Sequence, residues 1–171
     1  VTVLSAIHIL RTELGVDIIP EAVHEGFAHV TKLTGLMGRW QILRSKPTVI
    51  CDTGHNVGGW EHLAEHLKVL RQYCGQIYMI VGKDIDGVLS LMPQDAFYFF
   101  TQASVERAMP VEDFAVKAMR HGLSGTLCDT VQDAVEKALR RARENDLIFI
   151  GGSTFIVADA LPLFMKEDEY K

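Results

Sequence analysis

Three short segments carry side chains suited to acting on a small anionic ligand. The first is Asp52-Thr53-Gly54-His55-Asn56-Val57-Gly58-Gly59, the second Gly82-Lys83-Asp84, and the third Gly151-Gly152-Ser153-Thr154. A carboxylate accepts hydrogens from hydroxyls, whereas an imidazole, an ammonium and a hydroxyl can hold and orient an anion. The glycines beside them let backbone come close to a ligand. Taken singly, each segment has an ordinary structural explanation. Asp52 suits a helix cap, His55 a polar loop position, Gly82-Lys83 a plain strand exit, and Gly151-Gly152-Ser153 a helix start. What raises them above those explanations is that all three follow apolar, strand-like runs. Open α/β sheets bind their ligands outside the carboxyl ends of strands.

Other signatures fail or half-match. Gly54, Gly58 and Gly59 are wrongly spaced for G-x-G-x-x-G, and Gly82-Lys83 precedes Asp84 and lacks the upstream glycine of G-x-x-x-x-G-K-[ST]. His62-Leu63-Ala64-Glu65-His66 fits the inverted zinc-protease pattern H-x-x-E-H. No acidic third ligand follows on a downstream helix, and the two histidines also suit the flanks of a surface helix, so no metal site is expected. Arg107 either reaches the same strand edge or is a surface charge paired with Glu106 or Glu112. Trp40 reads as core, and Cys51 and Cys128, at strand ends, as small buried hydrophobes rather than nucleophiles.

The elements that must position these groups are legible from periodicity. Val3, Ile7, Leu10 and Leu14 fall on one helical stripe that Gly15 closes, and Pro20 opens a second helix with Val23, Phe27 and Val30 as its buried face. Residues 34–38 form a linker. After Arg39, apolar runs at 40–43, 48–51, 77–81, 96–100, 126–128 and 147–150 read as strands. They alternate with helices at about 59–73, 86–92, 110–121, 131–143 and 155–164, the fourth capped by Thr130 with Asp133 three residues on. Strands that are apolar throughout, separated by helices, indicate an α/β fold with a doubly wound, mostly parallel sheet. The charged tail at 166–171 is expected to fray.

Composition bounds the function. The chain has 171 residues, 48% of them hydrophobic and 23% charged, which is globular rather than disordered. A formal charge of -5 argues against a general nucleic-acid binder. The apolar runs are strand-sized, too short to span a membrane. Three cysteines without a C-x-x-C pair point to a reducing, cytoplasmic setting. The chain opens without Met or a signal peptide, and is read as part of a longer protein.

Beyond these patterns, the wording of several segments resembles the C-terminal part of the folate branch of the Mur-ligase superfamily, the folylpolyglutamate and dihydrofolate synthases. The matching stretches are Gly38-Arg39-Trp40-Gln41, Pro47 to Asn56, Gly82-Lys83-Asp84, and Leu147 to Ser153. Val57 and Gly82 depart from the family, which usually has Pro after His-Asn and often an acidic residue before Lys-Asp. The resemblance implies a Rossmann-like Mur-ligase C-terminal domain at 37–171, preceded at 1–36 by a helical remnant of the central ATPase domain plus linker. It implies an ATP-dependent ligase that joins glutamate to a folate or dihydropteroate carboxylate through an acyl phosphate. ATP and Mg2+ would be bound mainly by the ATPase domain, which carries the phosphate loop. In this part, Arg39 would neutralise nucleotide phosphate, Asp52 would accept from ribose hydroxyls, and Asn56 would line the nucleotide. His55, Lys83 and Ser153 would hold glutamate, with His55 and Lys83 closest to the chemistry. The expected partners are these substrates, with no nucleic acid and no membrane, and the expected state is a monomer.

Two other functions fit the same layout. One is a peptidoglycan-precursor ligase that adds an amino acid to a nucleotide-linked sugar peptide. The other is a non-catalytic Rossmann-like nucleotide-binding module.

Overall fold

The computed structural model describes residues 2–83 and 87–165. Asp84, the start of the helix expected at 86–92, and the charged tail lie outside the described residues. The chain divides into two compact units, Val1–Met37 and Gly38–Lys171.

The first unit contains α1 (Thr2–Thr12), α2 (Pro20–Ala28) and α3 (Val30–Thr34). Pro20 begins α2 as expected, but the helix ends at Ala28, and His29 separates it from α3. None of the three helices has a buried residue. The stripe of Val23, Phe27 and Val30 is therefore not a buried face: Val23 and Val30 are half-buried and Phe27 is 51% exposed. Three short helices supply no second layer for such a stripe to pack against within the unit.

The second unit is a six-stranded sheet in the order β1-β2-β6-β3-β4-β5. Its strands are β1 (Gln41–Ser45), β2 (Thr48–Asp52), β3 (Ile77–Val81), β4 (Phe97–Phe100), β5 (Gly125–Leu127) and β6 (Leu147–Gly151). β1 pairs antiparallel with β2 at the edge, and every other pair is parallel. Connecting helices are α4 (Val57–Leu70), α5 (Val111–Arg120), α6 (Val131–Arg141) and α7 (Thr154–Ala160). In place of the helix expected at 86–92, the described residues show a single 3-10 turn at Leu89–Leu91. The last helix likewise stops at Ala160 and continues as a 3-10 turn, Leu161–Leu163, where Pro162 cannot donate a helical hydrogen bond.

Alternation along the strands builds two core layers. Ile77, Met79 and Val81 of β3, with Leu147 and Phe149 of β6, pack with α4 and α5 through Trp60, Leu67 and Phe114. Tyr78 and Ile80, with Ile148 and Ile150, pack with α6 and α7 through Val135, Ala138 and Ile156. Because both faces are covered, β3 and β6 are buried at every position, which is why they read as continuous apolar runs. Each fully buried large side chain of this kind stabilises the fold by about 1.5–3 kcal/mol.

Insertion of β6 between β2 and β3 positions the site. Asp52 is in register with Gly151, and Ile80 with Ile150. The chains leaving β2, β6 and β3 therefore emerge side by side at one edge of the sheet.

Candidate functional site

Asp52 ends β2 and is only 8% exposed. Its Oδ2 accepts the Trp40 N–H at 2.7 Å and its Oδ1 accepts the Gly54 N–H at 2.7 Å. The Thr53 N–H in turn donates to the Gly38 carbonyl at 2.8 Å. One buried carboxylate thus locks the Gly38–Gln41 segment onto the turn after β2. Gly38 has φ +76°, and a Cβ there would lie 2.9 Å from Thr53 Cγ2. Trp40 is held at φ 43°, a left-handed conformation that a bulky residue rarely adopts. Arg39, one residue before Trp40 in this clamped segment, is exposed. The sequence reading named Asp52 but missed its two backbone donors; the paired Gly-Arg-Trp-Gln and Asp-Thr-Gly wording was the available signal. Lone pairs remain on both carboxylate oxygens to accept a ligand hydroxyl.

His55 and Asn56 follow, both exposed. His55 Nδ1 lies 3.1 Å from the Thr53 carbonyl. A carbonyl can only accept, so this contact puts the hydrogen on Nδ1 and leaves Nε2 for a ligand. Asn56 caps α4, its Oδ1 accepting the Gly59 N–H at 2.8 Å, and keeps its amide hydrogens for donation. Trp60 anchors the turn from beneath, its indole N–H donating to the Gly54 carbonyl at 3.1 Å.

Lys83 and Ser153 come together across the β3–β6 edge, lining one cleft of about 430 Å³. That size falls within the range of small-molecule sites, roughly 300–1,000 Å³. Ser153 is 3% exposed, and its Oγ accepts the Phe155 N–H at 3.2 Å as the cap of α7, leaving its O–H to donate. Lys83 is exposed at the mouth. Arg39, Asp52, His55 and Asn56 are not among the residues lining this cleft. Two glycines are sterically required here. A Cβ on Gly82 would sit 2.0 Å from the Thr101 carbonyl oxygen, and one on Gly151 2.8 Å from that of Asp52. The departure at Gly82 therefore reflects close passage of β4 against the end of β3.

Arg107 also lines the cleft, with its guanidinium carbon 5.1 Å from the centre of the Phe155 ring. It is not paired with Glu106 or Glu112. Thr101, fully buried after β4, has an Oγ1 with no hydrogen-bond partner among the described residues.

Of the H-x-x-E-H histidines, His66 packs edge-on against the Trp40 ring at 4.9 Å, and His62 is exposed. Among the described residues no group of three or more His, Cys, Asp or Glu is placed to hold a metal ion. Burial pushes the Cys51 thiol up to about 12, with the Asp52 charge adding to it, and the Cys128 thiol up to about 11. Both are buried, so neither is a ready nucleophile. No helix among the described residues is long and apolar enough to cross a membrane.

Comparison with known proteins places this geometry in a family. Dihydrofolate synthase/folylpolyglutamate synthase of Escherichia coli K12 is 29% identical over 153 residues, covering 86% of this chain and 34% of the relative. The protein of the same description from Mycobacterium tuberculosis is 36% identical over 102 residues, covering 57% of this chain and 20% of the relative. Among solved structures, E. coli FolC in complex with DHPP and ADP superposes with a TM-score of 0.77 at 25% identity, covering 95% of this chain and 37% of that one. The chain thus spans about a third of the length of the E. coli relative. Residues 38–154 match the family described as Mur ligase, glutamate ligase domain, and the chain belongs to that family.

Proposed function

We propose that this chain is the C-terminal part of an ATP-dependent ligase that joins glutamate to the carboxylate of a folate or dihydropteroate. The observation that carries the reading is the meeting of Lys83 and Ser153 in one cleft beside the Asp52–Asn56 turn. In this reading ATP activates the acceptor carboxylate as an acyl phosphate, the glutamate amine attacks its carbonyl carbon, and phosphate leaves. The Lys83 ammonium and the Ser153 hydroxyl hold a glutamate carboxylate and so aim the amine. Arg39 neutralises nucleotide phosphate, Asp52 accepts from the ribose, and Asn56 lines the nucleotide. His55 in this reading contacts either the glutamate or the developing phosphate. No covalent nucleophile is needed, which agrees with the burial of Cys51 and Cys128. Rate enhancement comes from positioning and charge neutralisation. Residues 1–36 belong in this reading to the end of the ATPase domain, which holds the phosphate loop and magnesium, and the protein acts as a monomer in the cytoplasm.

The test uses the intact protein that carries this chain. Glutamate-dependent ADP release should require a folate or dihydropteroate and should yield the corresponding amide. Amide formation on a nucleotide-linked sugar peptide instead would move the chain to the cell-wall branch. Nucleotide binding without turnover on either acceptor would make it a binding module.

A further inference from the structure

The cleft that holds Lys83 and Ser153 contains a second cation, Arg107, and among the described residues no carboxylate lines it. The chain as a whole carries a formal charge of -5, and against that background two cations line one cavity. Arg107 is also held in place. The Ser104 N–H and Oγ both donate to the Asp159 carboxylate of α7, each at 2.7 Å, and the Val111 N–H donates to Gln102 Oε1 at 3.0 Å. The loop after β4 is thereby pinned at both ends, and both oxygens of Asp159 are already engaged. The Phe155 ring contacts the guanidinium at 5.1 Å. Such a contact occupies a face of the guanidinium and leaves N–H edges for a planar, two-oxygen acceptor.

We propose that Arg107 binds the second carboxylate of glutamate, the one Lys83 and Ser153 do not hold, and so selects a dicarboxylic amino acid over neutral ones. The assignment rests on the ligase reading above. Arg107 is exposed, so a neutral side chain in that position forgoes the charge-assisted, two-oxygen contact that the glutamate carboxylate makes, and the preference rests on that lost contact.

The experiment compares glutamate and glutamine as substrates of the intact ligase and of its Arg107→Gln and Arg107→Lys forms. In Arg107→Gln the Michaelis constant for glutamate should rise roughly ten- to a hundredfold. The preference for glutamate over glutamine should fall by a similar factor, with the ATP dependence and the unfolding midpoint unchanged. Arg107→Lys, which keeps the charge but not the fork, should recover part of the preference. A folded Arg107→Gln enzyme with unaltered glutamate dependence and preference overturns the assignment alone. Failure of the unmodified protein to consume glutamate overturns the ligase reading and takes this assignment with it.

Discussion

Asp52 shows how a residue can be recognisable in sequence while half of its work is not. Its place after an apolar run and before Gly54 and His55 marked it as a ligand or a cap, but both its oxygens hold backbone N–H groups, one of them twelve residues upstream at Trp40. A contact across that separation leaves no local pattern. Asp52→Ala should therefore do two things: raise the Michaelis constant for ATP, and destabilise the domain by roughly 2–4 kcal/mol through two unsatisfied N–H groups. Asp52→Asn, which keeps one acceptor oxygen, should lose less stability in urea unfolding. The cysteines make a pH prediction. An unfolded chain releases thiol protons near the ordinary value of 9.0, whereas burial holds them on Cys51 and Cys128 to about 12 and about 11. Above pH 9 the native state binds more protons than the unfolded state, so stability falls as pH rises. The urea midpoint should decline between pH 9 and 11, with no contribution from these thiols at neutral pH.

At the scale of elements, the caps and the buried strands were readable because their causes are local. Thr130 accepts the Asp133 N–H at 3.1 Å as its spacing indicated, and β3 and β6 were continuous apolar runs because helices cover both their faces. Strand order was not readable, since β6 pairs with β2 and β3 through contacts a hundred and seventy residues of local pattern do not encode. The doubly wound class followed from alternation, but the site depends on that insertion. Glycines divide in the same way. Gly82→Ala forces a Cβ to within 2.0 Å of the Thr101 carbonyl oxygen and should cost more than about 3 kcal/mol in equilibrium unfolding. Gly58, inside α4, has only Asn56 Oδ1 at 3.9 Å from an added Cβ. Gly58→Ala should be neutral or stabilise by up to about 1 kcal/mol.

Across the whole molecule, stability is unevenly placed. The unit Gly38–Lys171 contains both core layers, and the helices of Val1–Met37 contain no buried residue. Amide exchange should therefore be fast in α1 to α3 and slowest in β3 and β6, read by mass spectrometry on the isolated chain. Helical periodicity at 3–14 predicted the helix, yet said nothing about whether a partner layer was present to bury its stripe. The proposed chemistry lies at the carboxyl edge of the sheet, where Lys83 is proposed to bind the incoming amino acid rather than merely end a strand. The direct measurement is steady-state kinetics of the intact ligase carrying Lys83→Ala, with glutamate and ATP varied separately. Loss of a charge-assisted contact, about 1.5–3 kcal/mol, should raise the Michaelis constant for glutamate roughly ten- to a hundredfold and leave that for ATP unchanged. A Lys83→Ala enzyme whose glutamate dependence matches the unmodified protein would contradict the account and return Gly82-Lys83 to an ordinary strand exit.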